Sequence, residues 1–300
     1  MGQIIYDKKY LLSGYDFGAK SPYLVLDDIF KAPVERIVFP IINNQFTLNR
    51  ESEKYCIGSY NLNLNKYYTC PNRAKIENQY TLCNACKRRQ GFNPAFYNAD
   101  FISLQQRKRN NEAHIVYLAN FGHGITKIGI AYHKRIMTRL LEQGARTALI
   151  LKHCQNAYEA REIEEFAHCV LEIPEVVSKK KKRYLINQKF DIDSSKKEMM
   201  DIKEKINKKN ECVIENNQVQ DFSKQYLQNS ILDFPIIDLT GQSNFISGNG
   251  LGMIGDNLIV CHEGEQFMVS IKPWIAHLVV LNDQLIKNQY LDKTIQNKLF

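Results

Sequence analysis

Four cysteines, Cys56, Cys70, Cys83 and Cys86, carry the clearest chemistry in the chain. The Cys83-x-x-Cys86 spacing lets two thiolates grip one tetrahedral zinc ion, each at about 2.3 Å. Two single cysteines upstream complete a set of four thiolate ligands. Thiolates are soft and bind deprotonated, so zinc is the expected metal. Four protein ligands leave no open position for water, and the expected role is structural. A redox pair would want a βαβ setting, and none surrounds these residues. Cys154, Cys169, Cys212 and Cys261 are expected as buried thiols. A second pattern, Gly248-x-Gly250-x-Gly252-x-x-Gly255, has the look of a dinucleotide loop. Such a loop must follow a strand and open a helix. Here a β run follows at 257–261, so turn or bulge glycines are expected.

The elements that must position such residues alternate in type along the chain. Residues 1–55 read as β-rich, with short apolar runs at 23–26 and 36–39. The 56–86 stretch is loop-like and rich in Asn and Tyr. Residues 115–119 read as a buried strand. Phe121-Gly122-His123-Gly124 is a turn, and 126–131 is a second strand, which predicts a hairpin. A helix is expected over 133–143, with Ile136, Met137, Leu140 and Leu141 on one face and Gly144 as its stop. A third strand at 148–151 and a second helix at 157–172 follow. That helix shows Ala160, Ile163, Ala167, Val170 and Leu171 on one face. The last stretch turns β again, with a hairpin around 262–266 and a further strand within 274–281.

The runs Ile115-Val116-Tyr117-Leu118-Ala119, Lys127-Ile128-Gly129-Ile130, Arg139-Leu140 and Arg161-Glu162-Ile163-Glu164 resemble, in order and spacing, the GIY-YIG endonuclease superfamily. The resemblance covers about sixty residues. It implies a small three-stranded antiparallel sheet flanked by helices. It also implies Tyr117 as base or water-orienting phenol, Arg139 as phosphate clamp and Glu164 as ligand of Mg²⁺ or Mn²⁺. The first motif lacks its glycine, and Lys127 stands where the second tyrosine would be. This is similar to the KIG form of some members, with lysine able to supply charge to a phosphate. Helical geometry, at about 100° per residue, puts Glu164 at the edge of the buried face and turns Glu162 and Glu165 away. Arg135, four residues before Arg139, is a reserve cation. Over most of its length the chain also resembles an uncharacterised bacterial family of unknown function. Cys56-Ile57-Gly58, Cys70-Pro71, Cys83-x-x-Cys86 and Leu141-Glu142-Gln143-Gly144-Ala145 carry that wider likeness.

Phosphodiester hydrolysis needs a base for water, a cation for the charge on phosphorus and help for the leaving oxygen. Charge agrees with a polyanionic partner. The net charge is +8, and residues 179–210 hold twelve Lys or Arg against five Asp or Glu. Basic blocks attract nucleic acid through counterion release. No run of 18 apolar residues exists to span a membrane, and 1–10 does not read as a secretory signal. A cytoplasmic protein with reduced thiols is expected. The fold class expected is α+β, with β-rich ends around the small α/β unit. The segments expected are a β-rich region with the zinc module (1–111), the GIY-YIG-like domain (112–178), a lysine-rich, partly helical stretch (179–229) and a β-rich end (230–300). The function expected is a nucleic-acid-acting, Mg-dependent phosphodiester hydrolase with structural zinc. The alternatives are a binder on the same fold that does not cleave, or a protein-interaction module.

Overall fold

A computed structural model describes residues 3–18, 21–77, 79–90, 102–210, 216–227, 232 and 235–286. Strands β1 (Lys9–Phe17), β2 (Pro22–Asp28), β3 (Glu35–Pro40) and β4 (Gln45–Lys54) come first. A short hairpin, β5 (Ser59–Asn61) and β6 (Lys66–Tyr68), and the helices α1 (Asn84–Gln90) and α2 (Leu104–Asn110) follow. The middle holds β7 (His114–Asn120), β8 (Thr126–Tyr132), α3 (Ile136–Gln143), β9 (Thr147–Cys154) and α4 (Ala157–Leu171). Then come α5 (Lys179–Ile186), α6 (Ile192–Asn210), β10 (Val219–Asp221) and α7 (Ser223–Tyr226). The chain ends in β11 (Ile237–Asp238), β12 (Phe245–Ile254), β13 (Asn257–His262), β14 (Glu265–Ser270) and β15 (His277–Asn282). No helix among the described residues is long and apolar enough to cross a membrane.

The first four strands and the last five form one sheet, in the order β11-β14-β13-β12-β4-β15-β1-β2-β3. β15 inserts between β4 and β1, pairing Val280 with both Asn49 and Lys9. The two ends of the described chain thus share a core that includes Tyr10, Leu24, Phe46, Val260, Phe267 and Trp274. Phe39 and Phe46 meet edge-on at 5.2 Å, a favoured aromatic geometry. The glycine-rich run lies within β12 and passes by a turn into β13 with no helix. Gly252 has φ +148, and a Cβ there would lie 2.0 Å from the Tyr226 carbonyl oxygen. Close backbone approach therefore explains this glycine better than phosphate binding does.

β7, β8 and β9 form the expected antiparallel core of a second sheet, but it has four strands, ordered β10-β9-β7-β8. β10 joins from beyond the lysine-rich segment. At three residues, Val-Gln-Asp, it is too short to show alternation in the sequence. β7 is buried along its whole length because both of its faces are covered. Val116 and Leu118 pack with Ala160, Ile163, Met199 and Ile206. Ile115, Tyr117 and Ala119 pack the other way, with Leu140, Ile254, Ile259 and Met268. That second core welds the small sheet to the large one. Two-sided burial is why β7 reads as a continuous apolar run.

A 3-10 turn (His133–Arg135) precedes α3, which ends at Gly144 with φ 76. Met137 and Val170 differ from expectation: they are 41% and 48% exposed, at the outer limits of their helix faces. The lysine-rich segment is helical in α5 and α6. Ser195, Met199, Lys203 and Ile206 form the buried stripe of α6, at helical spacing. Its remaining lysines are therefore the solvated side of a packed helix.

Candidate functional site

The cysteine cluster is assembled by three turns. Cys56 follows β4, Cys70 follows β6, and Cys83 and Cys86 bracket the start of α1. Their four Sγ atoms lie within 4.8 Å of one another, with Cys70 and Cys83 at 3.9 Å. A tetrahedron with bonds of about 2.3 Å has edges of about 3.8 Å, so the donor set fits a metal such as zinc. Backbone N–H groups of Cys83 and Gly58 donate to Cys56 Sγ at 3.1 and 3.4 Å, as suits a thiolate. Cys56, Cys70 and Cys86 are almost fully buried beside Ala74, Ile76 and Leu82. Burial raises the Cys56 thiol to about 11 and pushes Cys86 up as well. At Cys83 burial acts upward too, but hydrogen bonds from the Cys86 backbone and the other thiols outweigh it, to about 7. A metal would supply the missing positive charge. Of the other thiols, Cys154 is buried, Cys261 is half-buried and Cys169 is exposed, contrary to expectation. Cys169 sits on the outer side of α4, two residues past its buried Ala167. Cys212 lies outside the described residues.

Tyr117, Lys127, Arg139 and Glu164 come from β7, β8, α3 and α4, and the fold brings them into one cluster. Tyr117 and Gly129 are directly paired across the strands. A Cβ at Gly129 would lie 2.8 Å from the Tyr117 hydroxyl and 3.2 Å from Lys127 Nζ. Glycine thus leaves the room in which phenol and ammonium meet. Lys127 Nζ stands 5.7 Å from the Tyr117 ring centre. The Gln143 amide donates to the Tyr117 hydroxyl at 3.1 Å. Burial raises the Tyr117 pKa, with Arg139 opposing. Burial also lowers Lys127 to about 8, helped by the charges of Arg139 and Lys182 and opposed by Glu164 and Glu175.

Glu164 is buried, at 6% exposure, while Glu162 and Glu165 are exposed. Burial raises its pKa. Arg161 Nη1 reaches Glu164 at 2.8 Å and Glu175 at 2.5 Å. A guanidinium therefore holds one oxygen of Glu164, and Tyr117 is fully buried. This donor set does not fit the Mg²⁺ (or Mn²⁺) expected at Glu164. The Arg161 pairing is readable as an i, i+3 ion pair. Glu175 is not, because it lies beyond the end of α4.

Arg139 is the exposed member of the cluster. It opens onto a cavity of about 420 Å³ whose lining includes Lys179, Lys182 and Lys272. Burial lowers Lys182 to about 8, and its Nζ donates to the Gln143 carbonyl at 2.9 Å. Two carboxylates share the lining, Glu142 and Asp256. Glu142 pairs with Arg135 at 3.1 Å, and Asp256 accepts from Ser270 Oγ at 2.9 Å. Four cations against these two carboxylates leave the cavity with a net positive charge. The side-chain geometry alone gives no name to this arrangement. A family model described as "Protein of unknown function (DUF2797)" matches residues 45–269. The chain belongs to DUF2797. No curated protein and no solved structure matches it.

The DUF2797 match runs from β4 to β14 and so contains both clusters. It brings no activity, and it does not extend the short nuclease-like motifs. Lys272 and Asp256 escaped the sequence reading because they reach the cavity from the far end of the chain. Lys182 was visible only as one lysine of a run. Its signal was the apolar pair Leu185-Ile186, which anchors α5 and fixes which lysines face inward.

Proposed function

We propose that this DUF2797 protein binds nucleic acid, with phosphate groups held at the cavity lined by Arg139, Lys179, Lys182 and Lys272. One observation carries this reading: four cations, from α3, α5 and the turn after β14, converge on one cavity and outnumber its two carboxylates. A planar guanidinium suits a phosphate, and three flexible ammonium groups can follow the backbone. Zinc held by the four cysteines would fix the β5–β6 hairpin and α1 against the large sheet. Reduced thiolates of this kind belong to a reducing compartment, so the reading locates the protein in the cytoplasm.

Phosphodiester hydrolysis is the second reading, favoured by the proximity of Tyr117, Lys127, Arg139 and Glu164 and by the shifted pKa values of Tyr117, Lys127 and Glu164. It ranks second because Arg161 holds Glu164. The deciding experiment is oligonucleotide binding over a salt series, with cleavage followed in Mg²⁺ and Mn²⁺. Binding that weakens steeply with salt and drops in Arg139→Gln, with no cleavage, supports binding alone. Cleavage that is lost in Glu164→Ala and Tyr117→Phe raises hydrolysis to first place. No binding at low salt ends the nucleic-acid reading.

A further inference from the structure

The cation cavity adjoins a larger one of about 720 Å³, and the two share Ser13, Gly14, Tyr15, Tyr67 and Glu142. The larger cavity is lined by Tyr15, Tyr23, Tyr60 and Tyr67 together with Arg36 and Arg135. Four of these side chains form a row. The Arg36 guanidinium lies 5.1 Å from the Tyr67 ring centre, Tyr67 and Tyr60 are 5.8 Å apart and tilted by 56°, and Arg135 lies 5.6 Å from Tyr60. Adjacent rings flanked by guanidinium groups offer the stacking and cation–π surface that single-strand binders use to hold bases.

A separate observation concerns Asn257, which lines the cation cavity. It is 4% exposed, and its Oδ1 meets no hydrogen-bond donor among the described residues. Its amide nitrogen is already engaged, donating to the Ile254 carbonyl at 3.0 Å and to Asp256 at 3.3 Å. A buried acceptor without a donor is costly and calls for a ligand that brings an N–H or O–H. A fully ionised polyanion would bring charge but no donor of its own. A nucleotide brings both phosphate and donor.

We propose that the two cavities form one track for single-stranded nucleic acid. Phosphates lie at Arg139, Lys182 and Lys272. Neighbouring bases lie against the tyrosines, and Asn257 Oδ1 accepts from a base amino group or a ribose hydroxyl. A duplex keeps its base faces stacked inside and offers only edges and backbone, so it has nothing to lay on the rings.

This inference rests on the nucleic-acid reading above, and one experiment separates the two. Full-length, zinc-loaded protein is titrated with short labelled single strands of DNA and of RNA, and with the matching DNA duplex, over a salt series. Single strands are expected to bind at least about tenfold more tightly than duplex. Tyr67→Leu and Tyr23→Leu are each expected to weaken single-strand binding by about tenfold with an unchanged salt slope. Tyr67→Phe keeps the affinity, and Arg139→Gln lowers the slope by about one. Zinc content and circular dichroism identify any variant that has lost its fold, and the second tyrosine, on a different element, then carries the test. A preference for DNA or for RNA supports the track and names its source. Duplex binding equal to or tighter than single strands, or full affinity in both leucine variants, overturns the track and leaves the broader reading standing. No binding of any strand at low salt overturns both.

Discussion

The cysteine cluster and the Tyr117 cluster each draw four side chains from separate places in the chain, yet they end differently. The cysteines face one another, with three of the four almost fully buried. Nothing of theirs is left over for a substrate. Tyr117, Lys127 and Glu164 are also buried, but Arg139 is exposed and opens on a cavity. A closed donor set is suited to holding structure, whereas a buried charge network with one exposed cation is suited to sensing an anion outside. Chemistry close at hand can therefore serve stability in one region and recognition in the other.

The comparison breaks most easily at the cysteines, where the largest effect is expected. Cys83→Ser removes one thiol of a set that could hold a metal, and a structural metal contributes about 10–16 kcal/mol in comparable small modules. Zinc is expected to fall from about one per chain to near zero, with β5, β6 and α1 losing protection in hydrogen exchange. Metal analysis and exchange together check this. A variant that keeps its zinc would show that the four thiols do not act as one site. Acid should act the same way on the native chain, because ligation requires deprotonated thiols and protons compete as pH falls.

The next effect belongs to the buried ion pair. Glu164→Ala removes one of the carboxylates that Arg161 pairs with and leaves Glu175 in place, and Arg161 itself is 22% exposed. Breaking a fully buried pair costs about 3–5 kcal/mol. The surviving partner and partial exposure reduce the expected loss to about 2 kcal/mol, read from denaturant unfolding. If stability is unchanged, Glu164 is free for another role and the hydrolytic reading gains.

Lys127 sharpens the contrast through pH. Its pKa falls from an ordinary 10.5 to about 8, which corresponds to about 3 kcal/mol of cost when the group is charged. Below about pH 8 both folded and unfolded states carry the proton, so the full cost is present. Between 8 and 10.5 only the unfolded state does, so stability rises with pH, and above 10.5 the cost is gone. Lys127→Met keeps the apolar stem and forfeits the hydrogen bond to the Glu175 carbonyl, at 3.2 Å, worth about 1 kcal/mol. The variant is expected to be more stable than the native chain by about 2 kcal/mol at pH 7, and the gap should close through pH 8–10.5. Thermal unfolding at several pH values decides it. Destabilisation at pH 7 would mean that Glu164 and Glu175 need the ammonium more than burial disfavours it.

What the sequence revealed follows the distance between the parts. Cys83-x-x-Cys86 was legible because its ligands are three residues apart, and the end of α3 was legible because Gly144 marks it locally. β7 was legible because burial on both faces leaves an unbroken apolar run. β10 was not, since three residues carry no period. The insertion of β15 between β4 and β1 was not, since pairing across more than 200 positions leaves no local trace. The candidate site divides the same way. Tyr117, Lys127, Arg139 and Glu164 could be named from short motifs. The clasp of Arg161 between two glutamates, and the arrival of Lys272 and Asp256 at the cavity, depend on packing between distant segments. Those are the features that moved the functional reading from cleavage toward binding.

The smallest expected change in stability is at Arg139, and it is the most informative. The side chain is exposed and makes no ion pair among the described residues, so Arg139→Gln should alter unfolding by no more than about 0.5 kcal/mol. Two of its neighbours would respond. The Lys127 ammonium, freed from one repelling charge, should titrate somewhat higher, while the Tyr117 phenol, losing a cation that lowers its pKa, should also move up. A conservative exposed substitution would thus shift two buried groups together while leaving the cysteine cluster untouched. Nuclear magnetic resonance of selectively labelled tyrosine and lysine, followed against pH, reads both. Movement of both groups would link the cavity to the interior of the small sheet. A bound phosphate, whose negative charge offsets that of the guanidinium, would then raise both pKa values in the same sense. If neither moves, Arg139 is only a surface cation, and the contrast between the two clusters loses its outer half.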